Sequence, residues 1–344
     1  MKKRNFIFGL LLSVIAAVLL TCAYGAITKT GPFAEKKEEA PGFLENDTDR
    51  FPGLDSRTEP EEEPKDPFLM YNKTKDETFT LDGRELLPAA IACEMDLNAP
   101  EEALKAQAVA CYTLFCRKRA TGEAIACDPE RWQVWTDEAH MRTRWGQDYE
   151  GALTALQSVV NAVYGEALLY DGEPILAAYT AISPGSTEDG AALWRKSYPY
   201  LQPVASPGDC FADGFLTVID MTEEEFKKRT EEQTVVEGLR VGKDAEQWLT
   251  NFEYTKSGNI ARASLCGTEV TGQELRGIFS LPSACFTLER ADNHFTFTVR
   301  GRGHGVGMSQ AGAVFFAKRG MGYEEILEHY YPGTEIEKLP EIKK

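Results

Sequence analysis

An apolar segment near the start of the sequence sets the first constraint on the fold. Phe6–Ile27 is almost unbroken in apolar side chains and has about the 20 residues that a helix needs to cross a bilayer. Lys2, Lys3 and Arg4 precede it, and such basic flanks stay on the cytoplasmic side. The run is longer than the apolar core of a cleaved signal peptide and has no clear A-x-A cut site. The sequence therefore predicts an uncleaved, single-pass anchor over residues 1–28, with the rest of the chain outside the cytoplasm.

A charged stretch without apolar periodicity follows the predicted anchor. Between residues 29 and 66 it carries 12 acidic and 6 basic residues with scattered proline and glycine. A segment of this composition cannot bury enough apolar surface to fold by itself. The predicted organisation after the anchor is a flexible acidic linker over 29–67, a folded domain over 68–338 with an approximate subdomain at 205–285, and a tail over 339–344.

The composition of the chain excludes several classes of protein. With 43% hydrophobic residues among 344, the chain can bury a core. The 37 basic residues against 54 acidic ones give a net charge of −17, which argues against a protein that binds nucleic acid through phosphate contacts. No C-x-x-C pair and no His-Glu-x-x-His motif occur, so the sequence predicts neither a zinc ribbon nor a catalytic metal site.

One glutamate interrupts the apolar face of a predicted helix. The helix is expected over Leu86–Met95, and its apolar positions continue at helical spacing into a carboxylate, in the order Leu87, Ala90, Ile91 and Glu94. Removing a carboxylate from water raises its pKa. Glu94 is therefore the first candidate for a general acid that keeps its proton at neutral pH.

A structural interpretation of Glu94 remains open on the sequence alone. The next predicted helix carries Lys105, Gln107 and Arg117, which are candidate partners for the carboxylate. An ion pair with a cation would lower the pKa of Glu94 again. A buried, paired glutamate and a general acid are thus equally compatible with the pattern.

The order of the other predicted elements indicates the fold class. Further helices are expected from a capping pair at Asn98 and Glu101 up to Gly122, and over Ala152–Val163, Gly272–Ser280 and Tyr323–Tyr331. Antiparallel pairs are expected for Glu166–Tyr170 with Ile175–Thr180, Phe252–Thr255 with Ile260–Cys266, and Phe286–Glu289 with His294–Val299. Because no β-α-β alternation is present, the sequence predicts an α+β fold of mixed helices and antiparallel hairpins.

A glycine-rich segment, Arg300–Gln310, has glycine at every second position from 301 to 307. Glycine lets a backbone approach another surface closely. The segment is not a phosphate-binding loop, because it lacks the Gly-Lys-Ser/Thr sequence that opens a helix. Either a tight packing crossover or a surface for a ligand fits this pattern.

Two stretches carry a family resemblance: LLPAAIACEMDLNAPEEALKAQAVA (Leu86–Ala110) and RGRGHGVGMSQAGAVFFAKRGMGYEEILEHYYPGTEI (Arg300–Ile336). Between them, in the expected order, come WGQDYEGAL, YDGEPILAAYTAISPGSTED, PYLQPVASPGD and TGQELRGIFSLPS. Together these motifs, from about residue 83 to 336, resemble the stage II sporulation protein D (SpoIID/LytB) family.

The resemblance implies a membrane-anchored lytic transglycosylase of sporulating bacteria, with two subdomains flanking a glycan-binding groove. Members of the family cut denuded peptidoglycan strands between N-acetylmuramic acid and N-acetylglucosamine during engulfment of the forespore, leaving 1,6-anhydro ends. The family's single acid/base glutamate falls on Glu94. Expected partners are the glycan strands, the stage II sporulation proteins P and M and the cytoplasmic membrane, with the catalytic domain between the mother-cell and forespore membranes. The alternative is a non-catalytic amidase enhancer or a wall-binding scaffold.

The resemblance also suggests which other residues lie on the groove. The expected substrate-binding residues are Lys105, Gln107, Tyr112, Tyr179, Ser183, Gly185, His304 and Gln310. For Gln107 and Tyr179 a packing role fits equally well. Many relatives carry an arginine where this chain has Tyr112, so the fit to the substrate is expected to differ here.

A zinc site found in some relatives is expected to be missing here. Those relatives use two cysteines and a histidine in the segment that matches Cys127–Trp135, and this chain retains Cys127 alone. We therefore predict no cofactor, and less than one equivalent of tightly bound zinc in purified, dialysed protein measured by inductively coupled plasma mass spectrometry. One equivalent of zinc that survives dialysis would contradict this prediction.

Overall fold

A computed structural model describes residues 64–194, 196–234 and 236–340 of the protein. The predicted anchor (1–28), most of the predicted linker (29–67) and the last four residues lie outside this part. In the described ranges, no helix is both long and apolar enough to cross a bilayer. The anchor and the domain boundaries remain predictions.

Helices of very different length are spread along the described chain. They are α1 (Gly83–Glu94), α2 (Glu101–Ala120), α3 (Glu138–Trp145), α4 (Tyr149–Val163), α5 (Gly190–Trp194), α6 (Glu223–Glu232), α7 (Gly272–Phe279), α8 (Gln310–Ala317) and α9 (Tyr323–Tyr330). Single 3-10 turns lie at Pro129–Arg131, Gly146–Asp148, Pro207–Phe211 and Ala245–Gln247.

Short strands lie between these helices, singly or in consecutive runs. They are β1 (Pro67–Asn72), β2 (Glu77–Asp82), β3 (Ile125–Cys127), β4 (Glu166–Tyr170), β5 (Glu173–Pro174), β6 (Tyr179–Thr180), β7 (Leu216–Thr222), β8 (Leu249–Tyr254), β9 (Ile260–Leu265), β10 (Thr268–Thr271), β11 (Phe286–Ala291), β12 (His294–Arg300), β13 (Met308–Ser309) and β14 (Glu335–Lys338).

The strands form several small sheets of mainly antiparallel order. Three of them, β10-β9-β8, β11-β12-β7 and β14-β4-β5, are antiparallel throughout. The sheet β2-β1-β3 adds a parallel strand to a hairpin, and β6 pairs in parallel with β13. The fold is thus mixed helix and strand, as the sequence predicts.

Two hydrophobic cores organise these elements. The first contains side chains from residues 68–201 and again from 306–331, with α2 fully packed along its middle. The second comes from the intervening stretch, 221–299, and is rich in stacked phenylalanine rings such as Phe226 on Phe295 at 4.2 Å between centroids. The chain therefore leaves the first core after residue 201 and returns to it at residue 306.

Most of the local predictions agree with the structure. The predicted helices match α1, α4, α7 and α9 to within three residues, and the hairpins β8–β9 and β11–β12 are confirmed. The β11–β12 turn has positive φ at both Asp292 and Asn293, which is the geometry of a two-residue hairpin turn of type I′.

One local prediction is wrong, and a second is confirmed only in part. Asn98 does not cap α2, because its backbone N–H and side chain both bond to Asp96 and the helix begins after Pro100. The hairpin expected at Glu166–Tyr170 and Ile175–Thr180 closes for only two residue pairs. After that point the chain turns away, and Tyr179–Thr180 pairs with β13, which is distant in sequence.

The glycine-rich segment packs as a crossover between the two cores. A Cβ at Gly303 would lie 2.2 Å from Oγ1 of Thr180, and one at Gly307 would lie 1.8 Å from the carbonyl oxygen of Ala178. The segment also exchanges backbone hydrogen bonds with Ile182 through Arg302. These contacts favour the packing interpretation for the glycines themselves.

A pair of glycine substitutions separates two losses of stability, one from the left-handed backbone and one from the close packing at this crossover. Gly307 and Gly172 have nearly the same φ, +77° and +78°, but nothing lies within 4 Å of a Cβ at Gly172. Gly172→Ala should cost about 1–2 kcal/mol from the left-handed backbone alone. Gly307→Ala should cost about 1–3 kcal/mol more, because the backbone of Ala178 has to move. Thermal and urea unfolding of both variants measures the difference, and equal losses would contradict the packing role.

Candidate active site

Glu94 is the last residue of α1 and lines a groove of about 950 Å3. One wall is the end of α1 with the loop 95–98, and the other runs from Arg144 to Ala155. The side chain is half-buried. The last turn of α1 carries no basic residue, so the partial negative charge of a helix C-terminus also disfavours the ionised form.

Hydrogen bonds from neutral groups hold the Glu94 carboxylate. The Gln310 side-chain amide donates from Nε2 to Oε2 of Glu94 at 3.4 Å, and the Tyr179 hydroxyl is a second donor. Burial raises the pKa of Glu94, and these two hydrogen bonds partly oppose the shift. The result is a carboxyl group that holds its proton to higher pH than an exposed glutamate.

No cation is paired with Glu94 in the described part of the chain. Lys105 pairs with Glu101 and Glu102, each at 2.8 Å. Arg117 donates to the carbonyl of Pro174 at 2.8 Å. The interpretation of Glu94 as an ion-paired structural residue therefore has no support in the structure.

The partners of Glu94 close into a ring of hydrogen bonds. Gln310 also contacts Oε1 of Gln107 at 3.3 Å, and Nε2 of Gln107 donates to Sγ of Cys111 at 3.2 Å. The Cys111 thiol lies 3.7 Å from the Tyr179 hydroxyl, which returns to Glu94. Burial raises the pKa of Cys111 to about 12 and that of Tyr179 well above its usual value. Cys111 and Tyr179 therefore stay protonated at neutral pH, and Glu94 is the carboxyl of the ring, with a pKa that burial raises.

Local structure explains why these side chains meet. Gln107 and Cys111 are one turn apart on α2, so they share a face of that helix. Tyr179 is fixed by the parallel pair β6–β13, and Gln310 follows Ser309, which caps α8 by accepting the Gly312 N–H at 3.2 Å. Four separate parts of the chain thus contribute to the ring.

His304 lies next to the ring, bonds the backbone of its member Tyr179, and stays neutral. Its Nδ1 accepts the backbone N–H of Val306 at 3.1 Å, and its ring also bonds the backbone of Tyr179. Burial, together with the charge of Arg276, lowers the pKa of His304 to about 4. Since both sides of the imidazole are engaged within the protein, it positions Tyr179.

Ser183 and Gly185 lie in a second buried cluster around Asp209. The carboxylate of Asp209 accepts the backbone N–H of Ser183 at 3.0 Å, the hydroxyl of Ser183 and the hydroxyl of Ser309 at 2.7 Å. The carbonyl of Gly185 accepts the N–H of Ser206 at 3.0 Å. These residues fix the start of α8 and do not reach Glu94.

The structure does not bring Lys105 or Tyr112 to this ring. Lys105 is held at the start of α2 by its two glutamates. Tyr112 is 4% exposed, and its hydroxyl donates to Asp66 at 3.0 Å in a cluster with Tyr164 and Arg119. Of the predicted site residues, the structure therefore joins Glu94, Gln107, Tyr179 and Gln310.

Sequence reasoning missed two contributors to the site. Cys111 is not among the predicted site residues, although its spacing of four residues from Gln107 is a signal that the two share a helix face. Arg144 lines the groove from α3, a short helix with no apolar periodicity to predict it.

The segment around Cys127 is held by contacts within the protein. Sγ of Cys127 contacts the carbonyl of Tyr71 at 3.5 Å, and Arg131 pairs with Asp128. Among the described residues, no three His, Cys, Asp or Glu side chains come together as metal ligands. The zinc content stays a prediction.

The fold and the groove define an α+β protein in which a glutamate lines a groove and is hydrogen-bonded by uncharged side chains. The family described as Stage II sporulation protein matches residues 71–170. Stage II sporulation protein D of Bacillus subtilis is 32% identical over 275 residues, which is 78% of each chain. That of Bacillus amyloliquefaciens is 30% identical over 78% of this chain and 77% of its own length. An amidase enhancer of Bacillus subtilis is 26% identical over 73% of this chain and 40% of its own length.

The chain belongs to the stage II sporulation protein D family, and so to a family of sporulation proteins. Helix α1, including Glu94, lies within the residues that match the family model, and Gln310 lies outside them.

The raised pKa of Glu94 predicts how stability depends on pH. Below the pKa of an unfolded glutamate, about 4.3, the carboxyl is protonated in both states and contributes no difference. As pH rises from there to the folded pKa, the native state holds more protons than the unfolded state, so wild type loses stability. Glu94→Gln lacks this penalty.

The melting temperature of Glu94→Gln should therefore gain on wild type as the pH is raised from about 4, and the gain should level off once the pH passes the folded pKa of Glu94. Differential scanning calorimetry measures the series. Glu130→Gln, which removes an exposed carboxylate, controls for the loss of a surface charge. A constant difference between Glu94→Gln and wild type would contradict the raised pKa.

Proposed function

We propose that the protein is a peptidoglycan lytic transglycosylase and that Glu94 is its general acid and base. The observation that carries this proposal is a carboxyl group with a raised pKa, held by uncharged donors inside an open groove. An acid that keeps its proton near neutral pH can donate it to a leaving group. Membership of the sporulation family supports the same conclusion.

One carboxylate is sufficient for this reaction. Ordinary glycosidases need a second one to attack the sugar or to activate water. In the proposed reaction the C6 hydroxyl of the muramic sugar is the nucleophile, and its tether to the same ring supplies the proximity. Glu94 gives its proton to the glycosidic oxygen as the bond from C1 to that oxygen breaks. The C6 oxygen then bonds to C1, and its proton returns to Glu94, so no water is consumed.

The ring of hydrogen bonds suits both halves of this cycle. Gln310 and Tyr179 donate to the carboxylate after the proton has left and so stabilise the ion. Neither partner carries a charge that would hold Glu94 permanently ionised. The carboxyl can therefore pass between its two forms within one turnover.

We further propose that this activity is exported and tethered. Residues 1–28 would hold the domain at the mother-cell membrane, facing the space between the two membranes, and the acidic linker would let it reach the glycan. In this setting the protein would act during engulfment with the stage II sporulation proteins P and M.

A second candidate function is that of a non-catalytic amidase enhancer or a scaffold that binds the wall. The relative named amidase enhancer supports it. Glu94 distinguishes the two functions, because a binding protein needs no half-buried carboxyl without a cation.

Product analysis tests the proposed reaction. Full-length protein in detergent should convert denuded glycan strands to products with 1,6-anhydro-muramic ends, and Glu94→Gln should lose at least about a hundredfold in rate, the typical contribution of general acid–base catalysis. Mass spectrometry distinguishes anhydro ends from reducing ends by the mass of one water.

Two other carboxylates on the groove provide matched controls. Asp96→Asn and Asp148→Asn remove lining carboxylates from the loop after α1 and from the opposite wall. Both variants should keep forming anhydro ends. Reducing ends that disappear in either variant would indicate hydrolysis with two carboxylates, and no product from folded wild type would favour the enhancer.

A further inference from the structure

Arg144 occupies an unusual position in the groove. It lies in the last turn of α3, is exposed, and holds its guanidinium 4.4 Å from the centre of the Trp132 ring. In the described chain it has no ion pair and no side-chain hydrogen bond. Its neighbour Arg142 is different, because Glu138 and Glu150 hold that side chain at 2.6 and 2.9 Å.

The charge of Arg144 reaches the catalytic end of α1. Burial raises the pKa of Cys93 to about 12, and the positive charge of Arg144 acts against that shift. Cys93 is the residue before Glu94. The guanidinium therefore acts electrostatically on the residue next to the candidate acid, and it is not paired with the acid itself.

The rest of the groove makes this cation distinctive. Among the lining residues that the structure describes, Arg144 is the only lysine or arginine, whereas Glu94, Asp96 and Asp148 are acidic. The whole chain carries a net charge of −17. An anionic ligand would thus be repelled by the net charge of the chain and by the groove carboxylates, and attracted to Arg144.

A glycan strand offers a specific anion for such a point. Its sugar rings are neutral, and the neighbouring groove residue Trp145 presents an aromatic surface on which a sugar face can pack. Each muramic sugar also carries a lactyl group. Its carboxyl is a free anion when the stem peptide has been removed and a neutral amide when the peptide is attached.

We propose that Arg144 binds the lactyl carboxylate of a muramic sugar in the groove and so makes the site selective for peptide-free glycan. This inference rests on the proposed function for the identity of the ligand. A guanidinium pairs with a carboxylate through two parallel hydrogen bonds, and stacking on Trp132 fixes its plane beforehand. Arg144 is a specificity residue and takes no part in the proton transfers.

The test compares two ligands that differ only in charge. One is a peptide-free glycan oligomer, and the other is the same oligomer with its lactyl carboxyls converted to neutral amides. Binding to full-length protein in detergent is measured by isothermal titration calorimetry, in a Glu94→Gln background that prevents turnover. This background should bind the acid form roughly tenfold more tightly than the amide form, as expected for a charge-assisted hydrogen bond.

Substitution of Arg144 should remove that preference without a general loss of binding. With Arg144→Gln the two ligands should bind equally, with the affinity for the amide form unchanged. Arg142→Gln removes the same charge from the same helix and should keep the preference. Unchanged far-UV circular dichroism and melting temperature show that each variant is folded.

Two results would overturn the proposal. One is a preference for the acid form that survives Arg144→Gln. The other is tighter, Arg144-dependent binding of peptide-bearing strands, which would mean that the arginine recognises a carboxylate of the stem peptide.

The two proposals can fail separately. Anhydro ends formed by a protein whose binding ignores the lactyl charge would overturn the role of Arg144 alone. Charge-dependent binding in a protein that forms no anhydro ends would overturn the transglycosylase and leave a glycan-binding groove.

Discussion

The candidate site depends on one buried carboxylate that is not part of it. Asp209 is fully buried and accepts hydrogen bonds from Ser183 and Ser309. Burial raises its pKa, and these hydrogen bonds oppose the shift. Because Ser309 caps α8 and Gln310 follows it, Asp209 fixes where the amide meets Glu94. An unsatisfied group at this depth would be costly, so the arrangement has little freedom to move.

The environment of Glu94 avoids strong stabilisation of either protonation state. A neighbouring cation would keep the carboxyl ionised, and a wholly apolar pocket would keep it protonated. The amide, hydroxyl and thiol groups around Glu94 stabilise each form moderately. They carry no charge, and they can donate hydrogen bonds to the carboxylate or accept one from the carboxylic acid. The stability lost by burying this group at neutral pH is typical of a site selected for chemistry rather than for packing.

Sequence patterns predicted what depends on neighbouring residues. The periodicity of α1 identified Glu94, and turn residues identified the β8–β9 and β11–β12 hairpins. Contacts between distant segments were not predictable, because no local pattern indicates that Tyr179 pairs beside β13. Helix spacing likewise could not show that Tyr112 turns inward to Asp66 while Cys111, its neighbour, faces the ring.

The chain returns late to its first core, and this has a consequence for the order of folding. Gln310 meets Glu94 and Gln107 across sequence separations of 216 and 203 residues. Contacts between residues so far apart in the sequence form slowly, and they form only after the C-terminal segment is available. During synthesis, the N-terminal part can build α1 and α2 while the carboxyl still lacks its amide partner. The ring is therefore completed only after the segment that carries Gln310 has been synthesised, so a truncated chain would hold Glu94 without its amide partner.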